Sequence, residues 1–205
     1  MRYAVLVHPG HSRVYFGTAL KLALPEFEIA ARRFETACET PRNQNIGGVE
    51  YLVFETAGEL TEKDVEIVSG LSFVYAVFAL EEKNGALLLR PIARADGPFV
   101  DEGIGGMLKY TGKTNESFTR MLINIARFSQ PCEKPLRMLD PLAGKGTTLF
   151  EGLVKGYDVY GVEIGEKVTA EAVRFLQKFL ETAKYKFECK SERFSGANKS
   201  FCAHK

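Results

Sequence analysis

Long apolar runs are absent from this sequence. None reaches the roughly 18 residues of a membrane-spanning helix, so no membrane partner is expected. Charge of one sign is equally scarce. A formal net charge of +1 gives no global pull toward nucleic acid or lipid, and any such partner must come from local features. The first ten residues (MRYAVLVHPG) hold one Arg and a very short apolar stretch, which reads as a first strand and not as a signal peptide. The four cysteines lie at 38, 132, 189 and 202, with neither a CxxC pair nor a zinc spacing. Reduced thiols in a cytoplasmic protein are the expectation. His8 and His11 flank Pro9-Gly10 without a third ligand nearby, so no metal site is assigned. No internal repeat is visible, and Trp does not occur. What is present is 45% hydrophobic and 26% charged residues, enough apolar material for a core, which excludes wholesale disorder.

The chain changes texture near its middle. Up to about residue 92 short elements alternate. Arg2 to Val7 is a nearly continuous apolar strand, and Ser12 is placed to cap a helix that Pro25 stops. Phe27 to Ala30 and Tyr51 to Glu55 read as strands, separated by a polar stretch with Asn43, Asn45, Gly47 and Gly48. Thr61 followed by Asp64 resembles a helix start, and Gly70 suits its end. Phe73 to Leu80 is a strongly apolar strand. Asn84-Gly85 turns it into Ala86 to Leu89, because both turn residues tolerate positive φ. The order β-α-β-β-α-β plus one strand is a ferredoxin-like α+β pattern over 1–92. Residues 93–114 are a Gly-rich linker. Over 115–205 a helix starting at Thr114 or Asn115 is followed by a strand (Leu136 to Leu139) and a helix (Thr148 to Lys155). A strand (Val159 to Ile164) and a longer helix (Glu166 to Thr182) complete a β-α-β-α run with short loops, the signature of a parallel sheet. The fold class is therefore α/β overall. Two parallel strands with these helices should leave an apolar strand edge exposed, which predicts a homodimer or domain contacts that cover it.

Chemistry concentrates in Leu139-Asp140-Pro141-Leu142-Ala143-Gly144-Lys145-Gly146-Thr147-Thr148. An acid ends a strand, a turn holds two glycines, and a helix starts at the Thr pair, where Thr148 and Glu151 suggest a capping box. Gly144 and Gly146 let backbone approach a ligand over the strand end. Lys145 is expected to face solvent. Glu163, twenty-three residues after Asp140, ends the next strand, where a carboxylate can accept both hydroxyls of an adenosine ribose. The dinucleotide fingerprint GxGxxG is only half matched, because Leu149 stands where its third glycine belongs. P-loop spacing fails both at Gly144-Lys145 and at Gly112-Lys113-Thr114. Asp140 alone reads as a turn-forming acid before Pro, and Glu163 alone as an exposed strand end; at this spacing the two favour a site.

The pattern Asp-Pro-x-x-Gly-x-Gly-Thr with a downstream strand-end acid resembles the S-adenosylmethionine site of Rossmann-like methyltransferases that act on exocyclic amines of nucleobases. The stretch from about Lys109 to Ala172 is similar to the RNA methylase family that includes the tRNA guanine-N2 methyltransferases. ESFTRMLINIARF, DPLAGKGTTLFEGL and VYGVEIGEK fall where that family has its corresponding segments. The resemblance covers roughly the last half of the chain and implies a partial Rossmann-like methyltransferase unit, with S-adenosylmethionine as cofactor and RNA, above all tRNA, as partner. It implies that Asp140, Gly144 and Gly146 line the methionine and sulfonium side, with Pro141, Ala143 and Thr147 in the same binding turn. Glu163 would hold the ribose, with Ile164 against the adenine.

Two departures qualify what the resemblance implies. No THUMP-length segment lies between the ferredoxin-like pattern and the linker. Nor is there any Pro-Pro in the sequence, whereas amine methylation uses an (Asn/Asp)-Pro-Pro-(Tyr/Phe) loop to hold the amine and stack the flipped base. No catalytic residue is assigned, and the expectation is an incomplete enzyme, inactive alone. Rival readings are a DNA adenine or protein methyltransferase fragment, or a non-enzymatic binding module with a vestigial cofactor turn. The tail from Lys184 interleaves Lys and Arg with Tyr185, Phe187, Phe194 and Phe201. That composition suits RNA contact, but a solvated end is the expectation.

Overall fold

The structure, a computed structural model, describes residues 1–8, 13–94, 97–107, 110–131, 136–192 and 200–202. It is mixed α/β, with six helices and two sheets of five and three strands among those residues. Two compact units emerge, one of 1–97 with 120–131, the other of 98–119 with 132–205.

The first unit holds β1 (Arg2–Val7), α1 (Arg13–Ala31), β2 (Arg42–Ile46), β3 (Val49–Glu55), α2 (Glu62–Ser69), β4 (Val74–Lys83) and β5 (Ala86–Ile92). Its sheet has the order β2-β3-β1-β4-β5 with every pair antiparallel. Alternation sets the faces. Tyr3, Val5, Val7, Leu52, Phe54, Val77 and Ala79 point to one side and form a core with Ala23, Phe27 and Ala30 of α1 and Ile67 and Val68 of α2. The Thr61–Asp64 capping box is present, and Gly70 is the C-cap of α2. Asn84 and Gly85 both adopt positive φ (54° and 77°), and Lys83 pairs with Ala86 across them. That is the geometry of a two-residue hairpin.

Two sequence expectations are corrected here. Pro25 lies inside α1 instead of ending it, and Phe27 to Ala30 is helix, not strand. Ala23, Phe27 and Ala30 recur at helical spacing and are each at most 1% exposed. Burying that stripe against the sheet outweighs the hydrogen bond that proline removes. The second strand is instead the polar stretch Arg42–Ile46, an edge strand that Gly47 and Gly48 turn into β3. Charged and amide side chains are common on edges, which is why this strand looks like a loop in sequence. Ser12 and the Pro9-Gly10-His11 turn lie outside the described residues.

α4 (Glu116–Ser129) starts with Asn115, whose side chain accepts from Phe118 N at 3.0 Å. The sequence reading gave this whole helix to the second domain, yet its residues from Arg120 onward belong to the first unit. Fully buried Asn124 donates to Glu26 Oε1 (2.6 Å) and to the Gly70 carbonyl (3.1 Å), and Phe128 joins the core.

The second unit holds α3 (Ile104–Met107), β6 (Arg137–Asp140), α5 (Thr147–Val154), β7 (Asp158–Val162), α6 (Glu166–Thr182) and β8 (Ser200–Cys202). β6 and β7 are parallel, and β8 adds antiparallel to β7. Leu176 and Phe179 on the apolar stripe of α6 pack with Phe150 and Val154 of α5 and with Val100 and Ile104. Val159 and Gly161 are buried, whereas Leu139, Tyr160 and Val162 on the opposite face are 63%, 37% and 42% exposed. β8 pairs along one edge of β7, where the sequence reading had only two parallel strands, and the exposed apolar surface is a sheet face. No helix among the described residues is long and apolar enough to cross a membrane.

Candidate functional site

The glycine turn is built from hydrogen bonds that its own sequence supplies. The Asp140 carboxylate, half-buried at the end of β6, accepts from Leu142 N at 3.0 Å and so closes the first bend. Ala143 N then donates to Val162 O (2.9 Å), tying the turn to β7, and Gly146 N donates to Ala143 O (2.8 Å). Gly144 (φ 53°) and Gly146 (φ 89°) take left-handed conformations that other residues adopt at a cost. Gly146 is itself the N-cap of α5, with no side-chain cap.

The expected Thr148–Glu151 capping box is therefore not formed. The helix begins one residue earlier, at Thr147, and this turns Glu151 onto the inner face of α5, where it is 1% exposed beside Gly105. Thr147, also buried, pairs through Oγ1 with the Tyr110 hydroxyl at 3.0 Å.

Glu163 lies immediately beyond β7 and bridges two loops. Its Oε2 accepts from Gly144 N (3.0 Å) and its Oε1 from Gly165 N (2.7 Å). A carboxylate has about four acceptor positions, so each oxygen retains one for a ligand. The two candidate motifs, distant in sequence, are thus joined by a direct hydrogen bond.

Beside this bridge is a small cleft, open to solvent, lined by Ala143, Gly144, Gly146, Leu149, Gly161, Glu163, Thr169, Ala172 and Val173. An adjoining apolar hollow extends from Gly146 and Leu149 toward Phe150, Val159 and Leu176. Gly161 keeps the floor low, since a Cβ there would lie 2.6 Å from Leu149 Cδ1 and 2.9 Å from Ala143 Cβ. Of the residues singled out in sequence, Ala143, Gly144, Gly146 and Glu163 line the cleft. Asp140, Pro141 and Thr147 flank it in the chain without lining it, and Ile164 is 95% exposed.

No protein-family model matches this chain, and no curated protein matches it.

Sequence reasoning did not single out Leu149, Gly161, Thr169, Ala172 or Val173 as lining the cleft. Thr169, Ala172 and Val173 of α6 form one wall of the cleft; their helix was legible, but not the direction of its small-residue side. Lys145 does not simply face solvent. Its Nζ pairs with Glu171 Oε2 at 2.6 Å and lies 5.0 Å from the centre of the Tyr110 ring. The hydrogen bond from Lys145, reinforced by its charge, holds the Glu171 carboxyl below the usual range. Among the described residues no group of three His, Cys, Asp or Glu side chains is placed to hold a metal. The arrangement offers the Glu163 carboxylate and an apolar floor, with Asp140 flanking the cleft in the chain. Such a site suits a neutral or cationic ligand with hydroxyl donors better than a polyanion.

Proposed function

We propose that this chain binds S-adenosylmethionine in the cleft beside Glu163, as the cofactor-holding part of a methyltransferase for base amines of RNA, tRNA foremost. The observation that carries this is the Glu163 bridge, which holds a carboxylate with spare acceptor positions beside a glycine turn and an apolar cleft. The ribose hydroxyls would donate to the outward lone pairs of Glu163, and the sulfonium charge would lie toward Asp140. Ile164, 95% exposed, would be available to cover the adenine.

The chain's own residues bind and orient under this reading. Gly144 and Gly146 allow close approach, and Gly161 leaves room above Leu149. Transfer of a methyl to an amine works mainly by holding donor and acceptor in line. With no Pro-Pro in the sequence, no residue is assigned to hold the amine. The reading includes a ferredoxin-like first unit, supported by the placement of β1 between β3 and β4 with β2 outside β3. It also includes a partial Rossmann-like second unit, supported by the parallel β6–α5–β7 connection. A cytoplasmic location completes the reading.

One observation favours a second reading, a binding module with a vestigial turn: both Glu163 oxygens already accept backbone N–H groups. Ultraviolet cross-linking with methyl-labelled S-adenosylmethionine separates the two. The first reading expects label on peptides spanning 140–149 or 163–173, competed by S-adenosylhomocysteine. Label elsewhere, or none, supports the second.

A further inference from the structure

The first sheet has a second face, on the side away from the core to which the described residues of its unit's helices contribute. α1, α2 and the Phe128 end of α4 all contribute to the core on the side of Tyr3, Val5, Leu52, Phe54 and Val77. The cross-strand register fixes what lies on the other side. Leu6 pairs with Tyr51, Ala4 with both Val53 and Phe78, Leu80 with Leu89, and Phe78 with Pro91. Directly opposed residues share a face, so Leu6, Tyr51, Phe78, Leu80, Leu89 and Pro91 form one apolar field across four strands. The Tyr51 and Phe78 rings meet edge to face at 6.4 Å. Ala4 and Val53, which they flank, are fully buried, while the rings themselves remain only half-buried.

The charges at the border of this field decide what fits it. Arg2 and Arg42 stand on the same face as Glu55 and Glu82. Arg42 Nη2 is 2.9 Å from Glu55 Oε1, and Arg2 lies 3.8 Å from Glu55 and 3.7 Å from Glu82. The Arg42 hydrogen bond holds the Glu55 carboxyl below its ordinary range. Two arginines matched by two glutamates offer no excess positive charge to a phosphate backbone, whose binding depends on it. An apolar centre with a border of both signs is the anatomy of a protein interface. It is also self-complementary: a two-fold axis can bring Arg of one copy to Glu of the other, as an isologous dimer requires.

We propose that the face of the first sheet away from the core is a dimerisation surface, and that its occupant is the same face of a second copy of this chain. The proposal does not depend on the cofactor reading and concerns a different sheet from the exposed Leu139–Tyr160 face. Sedimentation velocity of the full chain over a concentration series tests it. A dimer is expected, with Phe78→Asp and Leu89→Glu each raising its dissociation constant by about tenfold or more. Circular dichroism of both variants should match the parent, because neither side chain points into the core. Leu139→Asp should leave the dimer intact. A chain that is monomeric throughout would overturn the proposal. So would a dimer indifferent to both first-sheet substitutions, or one lost with Leu139→Asp alone. A monomer that binds single-stranded RNA, and binds it less tightly as Tyr51→Ala, would assign the face to nucleic acid instead.

Discussion

Asp64 shows how much one side chain can determine. Burial alone would raise its carboxyl, but hydrogen bonds from Thr36 and from the backbone of Glu35, Thr61 and Thr36 outweigh it and lower the pKa. The folded carboxyl therefore titrates below its ordinary 3.8. As pH falls the unfolded chain takes up this proton first, so the stabilisation is present above that value and is lost as pH drops through the lower folded pKa. Asp64→Asn should cost about 1–3 kcal/mol at pH 7 and clearly less well below pH 3.8, as read by urea unfolding at both values. The cysteines offer an independent check. Burial pushes the Cys38 thiol up to about 11, while Cys189 is exposed. The thiolate is the reactive form, so iodoacetamide at pH 8 should modify Cys189 well before Cys38 in mass-spectrometric mapping. Residue-scale features that depend on near neighbours were legible. Thr61 with Asp64, Asn84 with Gly85, and Asn115 as a cap each need only a few residues of sequence. Lys145 with Glu171 was not, because twenty-six residues and a strand separate the partners.

At the scale of elements, the candidate site depends on how closely α5 approaches β7. Gly161 and Gly152 mark that approach, since a Cβ at either would run into Leu149 or into Met138 and Val159. Gly161→Ala should therefore overpack the cleft floor and cost about 1–3 kcal/mol, measured by denaturant unfolding. The same substitution should weaken cofactor binding, because Ala143 must shift to accommodate it. The β6–turn–α5–β7–α6 order was legible because its apolar periods are strong and its glycines fall at the boundaries. α1 beyond Pro25 and β2 were not. In the first, tertiary burial of Phe27 and Ala30 overrode a local rule about proline. In the second, Arg42, Asn43, Gln44 and Asn45 form a strand through backbone pairing alone, and polar side chains carry no period to read. The α5 start shifted by one residue for a related reason. A left-handed Gly146 can cap without a side chain, so Thr148 and Glu151 were free to serve elsewhere.

For the whole molecule, composition excluded disorder and a spanning helix, and it said nothing about surfaces. The second unit has an exposed apolar sheet face, and the first unit a half-buried one on the side of its sheet away from the core. Only the register of the strands showed which residues share them. A candidate site was legible to the extent that Asp140, the two glycines and Glu163 form a recognisable spacing, and the fold adds that Glu163 is hydrogen-bonded to the turn itself. The most direct test is isothermal titration calorimetry of the chain with S-adenosylhomocysteine. Binding in the micromolar range is expected, about −8 kcal/mol at 1 μM, with Glu163→Ala weakening it by roughly tenfold or more through loss of charged hydrogen bonds. No binding by the parent chain, or binding that Glu163→Ala leaves unchanged, would contradict a cofactor site at this turn.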